Sequence, residues 1–407
     1  MHQGHTYQKR PPIFLIIILG ALTAIGALSI DMFLPGLPQI TSDFDTTASA
    51  AQLTLTLFMV GLAFGNLIMG PLSDAYGRKQ PLIIVMVIYT IASIGIVFSA
   101  NITMMISLRL VQGLCAGAAA VISRAIASDM YHGKALTKFL AVLMLVNGVA
   151  PVIAPALGGL ILIFSTWHMV FIILTVFGIF MVVSTAFRVP ESLSKQAREP
   201  ADIKSILIQF KRLLKRPKFV LPMLLQGMTF VILFSYISAS PFITQRIYTL
   251  SPQAFSIMFA VNGIGLIISS QLSGKLVDYF SPLAIMRGYT WVQLVGVVMI
   301  SIVLIFHLPI FFLFIAFFVL VSPVTGIATL GFSVAMDERT GGGGSASSLL
   351  GLVQTLIGGI STPLVGLMGE ESYIPYLIII YSAAIVLILL HMITAKVFAT
   401  HPSDNEA

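Results

Sequence analysis

The chain has 407 residues, 57% of them hydrophobic and 9% charged, with a mean hydropathy of +1.01. An ordinary soluble domain carries about 25% charged residues, so this composition excludes one and implies lipid-embedded helix, which satisfies its backbone polar groups internally. The formal charge of +7 would suit a nucleic-acid partner, but the placement of the basic residues explains it otherwise; Cys115 is the one cysteine, which excludes an intrachain disulfide and a cysteine-ligated metal cluster.

Apolar runs of about 20 residues mark spanning helices. They predict spans near 12–34, 48–70, 81–100, 103–127, 137–163, 167–188, 219–240, 253–274, 283–306, 309–334, 345–369 and 374–397. The expected fold is an all-α membrane protein of twelve transmembrane helices. Lys9-Arg10 and the apolar run behind them imitate a signal peptide. The run exceeds the roughly 7–15 apolar residues of such a peptide, so it reads as an uncleaved first span.

Asp31 stands near the end of that span, between Ile30 and the apolar Met32-Phe33-Leu34. A carboxylate in such a run costs roughly 2.5–3.5 kcal/mol on insertion scales unless it is partnered or protonated. It is a candidate for proton acceptance or substrate contact; the blander reading is an early span end with Asp31 in interfacial water. Span four carries Arg109, Gln112, Ala116, Ala120 and Ser123 at three- and four-residue spacing, a small, polar helix face suited to packing within a bundle. Arg109 lies at a depth that allows it to pair with Asp31. Span five contains Gly148, Pro151, Pro155, Gly158 and Gly159, which weaken a helix unless its neighbours compensate.

The longest polar stretch, 189–218, falls between spans six and seven. Ile203, Ile206, Leu207, Phe210 and Leu214 recur within it at helical spacing, which predicts a surface helix there. With both termini in the cytoplasm, nineteen of the 22 Lys and Arg residues lie inside. Arg246 alone lies outside, and Arg109 and Arg124 fall in span four. That asymmetry is the positive-inside pattern, and it accounts for the net charge. The halves look like repeats: Gly70-Pro-Leu-Ser-Asp74 is answered by Gly274-Lys-Leu-Val-Asp278, 204 positions later. The expected organisation is a six-helix half over 1–190, a cytoplasmic linker over 191–218 and a second half over 219–407. In that plan the substrate sits between the halves.

The loop from Gly70 through Asp74 and Gly77 to Arg78-Lys79 resembles the signature loop of the major facilitator superfamily, with Ala75 departing from it. Arg109-Leu-Val-Gln112-Gly113 resembles the span-four motif of its proton-coupled members. Asn147-Gly148 through Gly159 is similar to the antiporter motif of its drug exporters. Ser29-Ile-Asp31-Met-Phe-Leu-Pro35-Gly-Leu-Pro38, Arg124-Ala-Ile-Ala-Ser-Asp129, Ser165-Thr-Trp167-His168 and Gly344-Ser-Ala-Ser-Ser-Leu-Leu-Gly351 bring the resemblance closer, to the bicyclomycin-resistance family of drug–proton antiporters.

The resemblance implies an exporter in the bacterial inner membrane that exchanges protons for small amphipathic antibiotics such as bicyclomycin, sulfonamides or phenicols. Asp31 and Arg109 would couple the proton; Gly70, Asp74, Gly77, Arg78, Arg124 and Asp129 would gate. Asp74 would meet the entrance of span eleven near 341–345, and Arg78 would meet Asp129. Asp31, Gln112, Asn147, Gln226, Tyr236, Asn262 and Gln354 are the candidate substrate lining. The expected partners are drugs, protons and lipid, with no nucleic acid, and the chain is expected to be monomeric. No cofactor or metal is expected, because the seven His residues are scattered and no nucleophile–base constellation or phosphate-binding Gly-Lys-Ser/Thr loop occurs. The rival readings are a proton-coupled importer of a nutrient or organic ion, and a membrane enzyme or sensor.

Overall fold

The computed structural model describes residues 13–131, 133–198, 203–338 and 343–399, and there the chain is helical almost throughout. In order the helices are α1 (Ile13–Asp31), α2 (Leu37–Asp43), α3 (Ala48–Tyr76), α4 (Lys79–Val97), α5 (Ile102–Met130), α6 (Gly133–Phe164) and α7 (Trp167–Arg188). They are followed by α8 (Ile203–Leu213), α9 (Pro217–Phe242), α10 (Pro252–Leu276), α11 (Pro282–Ile305), α12 (Ile310–Val321), α13 (Pro323–Asp337), α14 (Gly343–Ser361) and α15 (Ile374–Ala399). The linker helix expected from the spacing of Ile203 to Leu214 is α8.

Ten helical stretches among the described residues are long and apolar enough to cross a membrane, and the two remaining expected spans hold shorter apolar helices, Val149–Phe164 and Ser345–Ser361. Many long apolar side chains face outward, among them Phe164, Phe187, Ile91, Trp291, Phe311 and Ile378. In water so much exposed apolar surface would drive association; lipid is its natural solvent. Helix starts follow local chemistry. The Asn101 side chain accepts from the Met104 amide at 2.9 Å, and Ser251 and Ser281 cap α10 and α11 in the same way, each with Pro next in line. Such caps satisfy an N–H that has no partner within the helix.

Span one departs from its predicted end. α1 stops at Asp31, two turn residues follow, a short 3-10 turn covers Leu34–Gly36, and α2 carries the path on to Asp43. Pro35 and Pro38 explain the break: proline donates no N–H, and it disfavours helical backbone in the residue before it. The apolar path is 31 residues long, so Asp31 stands inside it, at a discontinuity.

By contacts the chain forms two compact units, Met1–Phe33 with Leu57–Ile203, and Leu34–Thr56 with Lys204–Ala407. In the first, α1 packs on α5 and α6, and α4 packs on α5 and α7. Its core includes Leu19, Leu22, Ile25, Phe58, Met86, Tyr89, Ile122 and Phe139. Gly61 and Gly65 of α3 lie against the α5 backbone at Leu110 and Leu114, and Gly113 and Gly117 of α5 lie against the α3 backbone at Phe58 and Leu62. A Cβ on Gly113 would lie 1.9 Å from the Phe58 carbonyl oxygen, and one on Gly65 would lie 2.1 Å from that of Leu114. Small residues four apart let two helices approach this closely.

In the second unit, α9 packs against α13, α14 and α15, and α10 and α11 close on α13. The segment 34–56 is bound into this unit by polar contacts. Arg246 pairs with Glu370 at 2.6 Å and donates to the Pro38 carbonyl and to Ser42 Oγ at 2.9 and 2.7 Å. Gln245 donates to the Pro35 carbonyl at 2.9 Å, and Gln52 donates to that of Ser238 at 3.2 Å.

Candidate coupling site

Asp31 is the last residue of α1 and is 5% exposed. Gly158 of α6 lies directly against the break that follows it; a Cβ there would sit 2.0 Å from the Met32 carbonyl oxygen. The antiporter-like motif of span five thus holds the backbone beside Asp31. α6 runs unbroken through Pro151 and Pro155, and Pro155, Gly158 and Gly159 are buried. The side-chain positions of Asn147 and Gly148 lie outside the described residues. Gly158→Ala should move the α1 break and cost about 1–3 kcal/mol, as overpacking does. A lowered melting temperature together with reduced transport would show it; an unchanged protein would mean that α6 yields freely.

Arg109 is fully buried. It donates to the Ser29 carbonyl oxygen at 3.0 Å and to Gln112 Oε1 at 2.7 Å. Its guanidinium lies 4.4 Å from the centroid of Phe33 and 4.2 Å from that of Phe58, with Phe171 at 5.7 Å. Ring faces attract a cation where water is excluded. Gln112 passes the network on by donating to Ser93 Oγ at 2.8 Å, and Ser93 donates to the Tyr89 carbonyl oxygen at 2.8 Å. The Tyr89 hydroxyl bonds Ser29 Oγ at 2.7 Å, which returns the chain of contacts to α1. A fixed cation and its hydrogen-bond ring therefore grip α1 at Ser29, two residues before the carboxylate. Nothing in the sequence singles out Tyr89 or Ser93, which stand with Thr90 in an otherwise apolar run.

Four of the gating candidates, Asp74, Gly77, Arg78 and Asp129, form a second cluster in the same unit. Gly77 has φ +91, a backbone conformation that favours glycine, and it turns the chain into α4. Arg78 then pairs with Asp129 at 2.8 Å and with Asp74 at 2.6 Å, and donates to Ser73 Oγ at 2.6 Å. Burial opposes its charge, but the hydrogen bond to Asp129 and the charges of Asp129 and Asp74 outweigh that and raise its pKa above the ordinary arginine value. Arg124 lies elsewhere on α5, donating to Asn66 Oδ1 at 3.1 Å. Around the Gly70 Cβ position there is open space.

Glu191 completes the cluster. Its carboxylate accepts from the amides of Arg78, Lys79 and Leu193 at 2.9, 3.2 and 3.1 Å, a charged cap on the start of α4. Ser192 donates to Asp129 Oδ2 at 2.9 Å. The sequence shows Glu191 only as a polar residue after span six; its role needs the fold. Arg78→Gln leaves two carboxylates uncompensated. It should cost about 1–3 kcal/mol, discounted because Asp74 is half-exposed. Thermal unfolding in detergent would read this, and an unchanged midpoint would make the cluster ornamental. Of the residues 341–345 expected to meet Asp74, 341 and 342 and the side-chain positions of 343 and 344 lie outside the described residues.

The remaining candidates sit in the second unit. Gln226 donates to Gln354 Oε1 at 2.8 Å, and Asn262 donates to the Tyr236 hydroxyl at 2.7 Å. Tyr236 stacks on Phe259 and meets Phe317 edge-on, with centroids 5.6 and 5.0 Å apart. These are neutral polar groups set among aromatic rings.

Long apolar helices carrying a buried arginine and a buried carboxylate define a multi-pass membrane protein with a polar interior site. The Major Facilitator Superfamily profile matches residues 19–363, and the chain belongs to that family. It is 36% identical to the "Uncharacterized MFS-type transporter YdgK" of Bacillus subtilis (strain 168), over 94% of this chain and 95% of that protein. It is 27% identical to the "Bicyclomycin resistance protein homolog" of Haemophilus influenzae, over 94% and 96%. A solved bacterial homolog of the human lysosomal transporter Spinster shares the fold, with TM-score 0.70 and 14% identity, over 95% of this chain and 96% of that one. The resemblance drawn from the motifs is borne out, and the protein is a transporter of this superfamily.

Proposed function

We propose that the protein is a proton-coupled exporter of small amphipathic drugs in the bacterial cytoplasmic membrane. In this reading it has twelve spans, both termini in the cytoplasm and a monomeric working form. The observation that carries it is Asp31, buried at a break in α1 two residues beyond the Ser29 carbonyl to which the ring-clamped Arg109 donates. Discontinuous helices are where transporters of other folds bind ions and substrates.

The cycle is one of competition. Asp31 carrying a proton and Asp31 facing a bound drug favour different states, so drug leaves as a proton enters. Such coupling requires that each ligand bind the two states with different affinity. Arg109 grips the α1 backbone at Ser29, two residues before Asp31, and in this reading it sets where the carboxylate stands as the site opens and closes. Gln226, Tyr236, Asn262 and Gln354, with the rings around them, supply neutral recognition. That chemistry tolerates varied drugs, as flexible aromatic and Met-rich surfaces do. The bicyclomycin resistance relative supports this cargo class.

Inside-out vesicles test the reading. With the interior acidified by respiration, adding the exported drug should alkalinise the lumen in proportion to expression of this chain. Bicyclomycin, a sulfonamide and chloramphenicol are the first compounds to try. Luminal alkalinisation driven instead by a nutrient or organic ion that the cells import would replace this reading with the importer. No proton movement with any compound would remove proton coupling.

A further inference from the structure

The linker helix α8 carries a surface that the transport cycle does not use. Phe210 and Leu213, 7% and 2% exposed, are its buried side. On the rest of the turn Ile208 and Leu214 are 45% and 50% exposed, and Lys211, Arg212 and Lys215 are exposed beside them. Two further cations follow, and both are engaged at the end of α13: Arg216 donates to the Glu338 carbonyl at 3.4 Å, and Lys218 meets the Glu338 carboxylate at 3.9 Å. Among the described residues Lys211, Arg212 and Lys215 make no ion pair. No acidic residue occurs between Ile203 and Lys218.

Position decides what such a surface meets. α9 opens at Pro217 and is long and apolar enough to cross the membrane, so α8 ends within a few residues of the point where the chain enters lipid. Positive-inside placement explains why basic residues sit in this loop. It does not explain why three of them have no counter-ion among the described residues and flank two exposed apolar side chains. An interfacial helix has that combination: apolar groups enter the headgroup boundary and cations meet anionic lipid.

We propose that α8 docks on the bilayer surface and binds anionic phospholipid headgroups through Lys211, Arg212 and Lys215, with Ile208 and Leu214 inserted beside them. The linker is then a lipid-sensing element, tied to α9 by continuity and to α13 through Glu338.

The test is thermal unfolding of the full-length protein in nanodiscs of phosphatidylcholine, with and without phosphatidylglycerol. Phosphatidylglycerol should raise the wild-type midpoint by roughly 2 °C or more. About 1 M NaCl, where the screening length is about 3 Å, should abolish most of that rise. The triple variant K211Q/R212Q/K215Q should match wild type in phosphatidylcholine and lose at least half of the rise. Exchanging Lys for Arg and Arg for Lys at the same positions should keep it. A rise that persists in the triple variant, a wild-type rise indifferent to salt, or no rise at all would overturn the proposal. An equal rise from inorganic phosphate in phosphatidylcholine would likewise overturn lipid docking. If the triple variant fails to insert, the salt series on wild-type protein decides.

Discussion

Asp31→Asn should insert, fold and melt at or above the wild-type temperature, yet export no drug against a gradient. The two halves of that result have separate causes. Asn keeps the size of the side chain and removes a charge whose place in an apolar run costs roughly 2.5–3.5 kcal/mol on insertion scales. Stability therefore does not fall, even though Asp31 is 5% exposed. Asn cannot take or release a proton near neutral pH, so drug binding has nothing to compete with. In inside-out vesicles the drug-induced alkalinisation should drop to the level of vesicles that lack the protein. Equilibrium drug binding should persist, weakened by no more than the loss of one polar contact, about tenfold. Export at the wild-type rate would remove Asp31 from coupling, and a collapsed protein would make it structural.

Arg109→Ala should damage both folding and transport. The side chain donates to Ser29 and Gln112 and lies between the rings of Phe33 and Phe58. Truncation strands two buried acceptors and leaves a void. Each lost hydrogen bond to a charged group is worth about 1.5–3 kcal/mol, and a desolvated cation–ring contact about 2 kcal/mol. The sum overstates the effect because neighbours relax; a net loss of about 3–5 kcal/mol is expected. Arg109→Lys is the more informative variant. Lysine keeps the charge but is a point cation that cannot reproduce the planar fork. If charge alone mattered, Lys would restore most of the transport. The ring contacts and paired donors lead us to expect a folded protein with at least tenfold slower export. Full activity in the Lys variant would refute the geometric role, and unchanged activity in the Ala variant would reduce Arg109 to packing.

Much of this protein was legible before any coordinates. Span positions follow from apolar length, because a helix in lipid needs a fixed number of apolar residues to cover the hydrocarbon. Asp31, Arg109 and Gln112 were visible as polar residues in apolar runs, and Gly77 and Arg78 as parts of a loop motif. The linker helix α8 was visible in its periodicity. These signals are local, carried by composition or by residues within about one turn of each other.

The tertiary structure decided the rest. The rings that hold Arg109 come from the α1 break, from α3 and from α7, positions 33, 58 and 171, and no local pattern brings three such phenylalanines together. Ser29, Tyr89 and Ser93 became one network with Gln112 only when α1, α4 and α5 packed. Glu191 became the cap of α4 only when the chain after α7 returned to the 77–79 loop. The sequence by itself determined which segments are helices, because helical hydrogen bonds close within four residues. Which polar side chains meet inside was decided by packing between helices far apart in the chain, where a buried charge or donor must find a partner or cost stability.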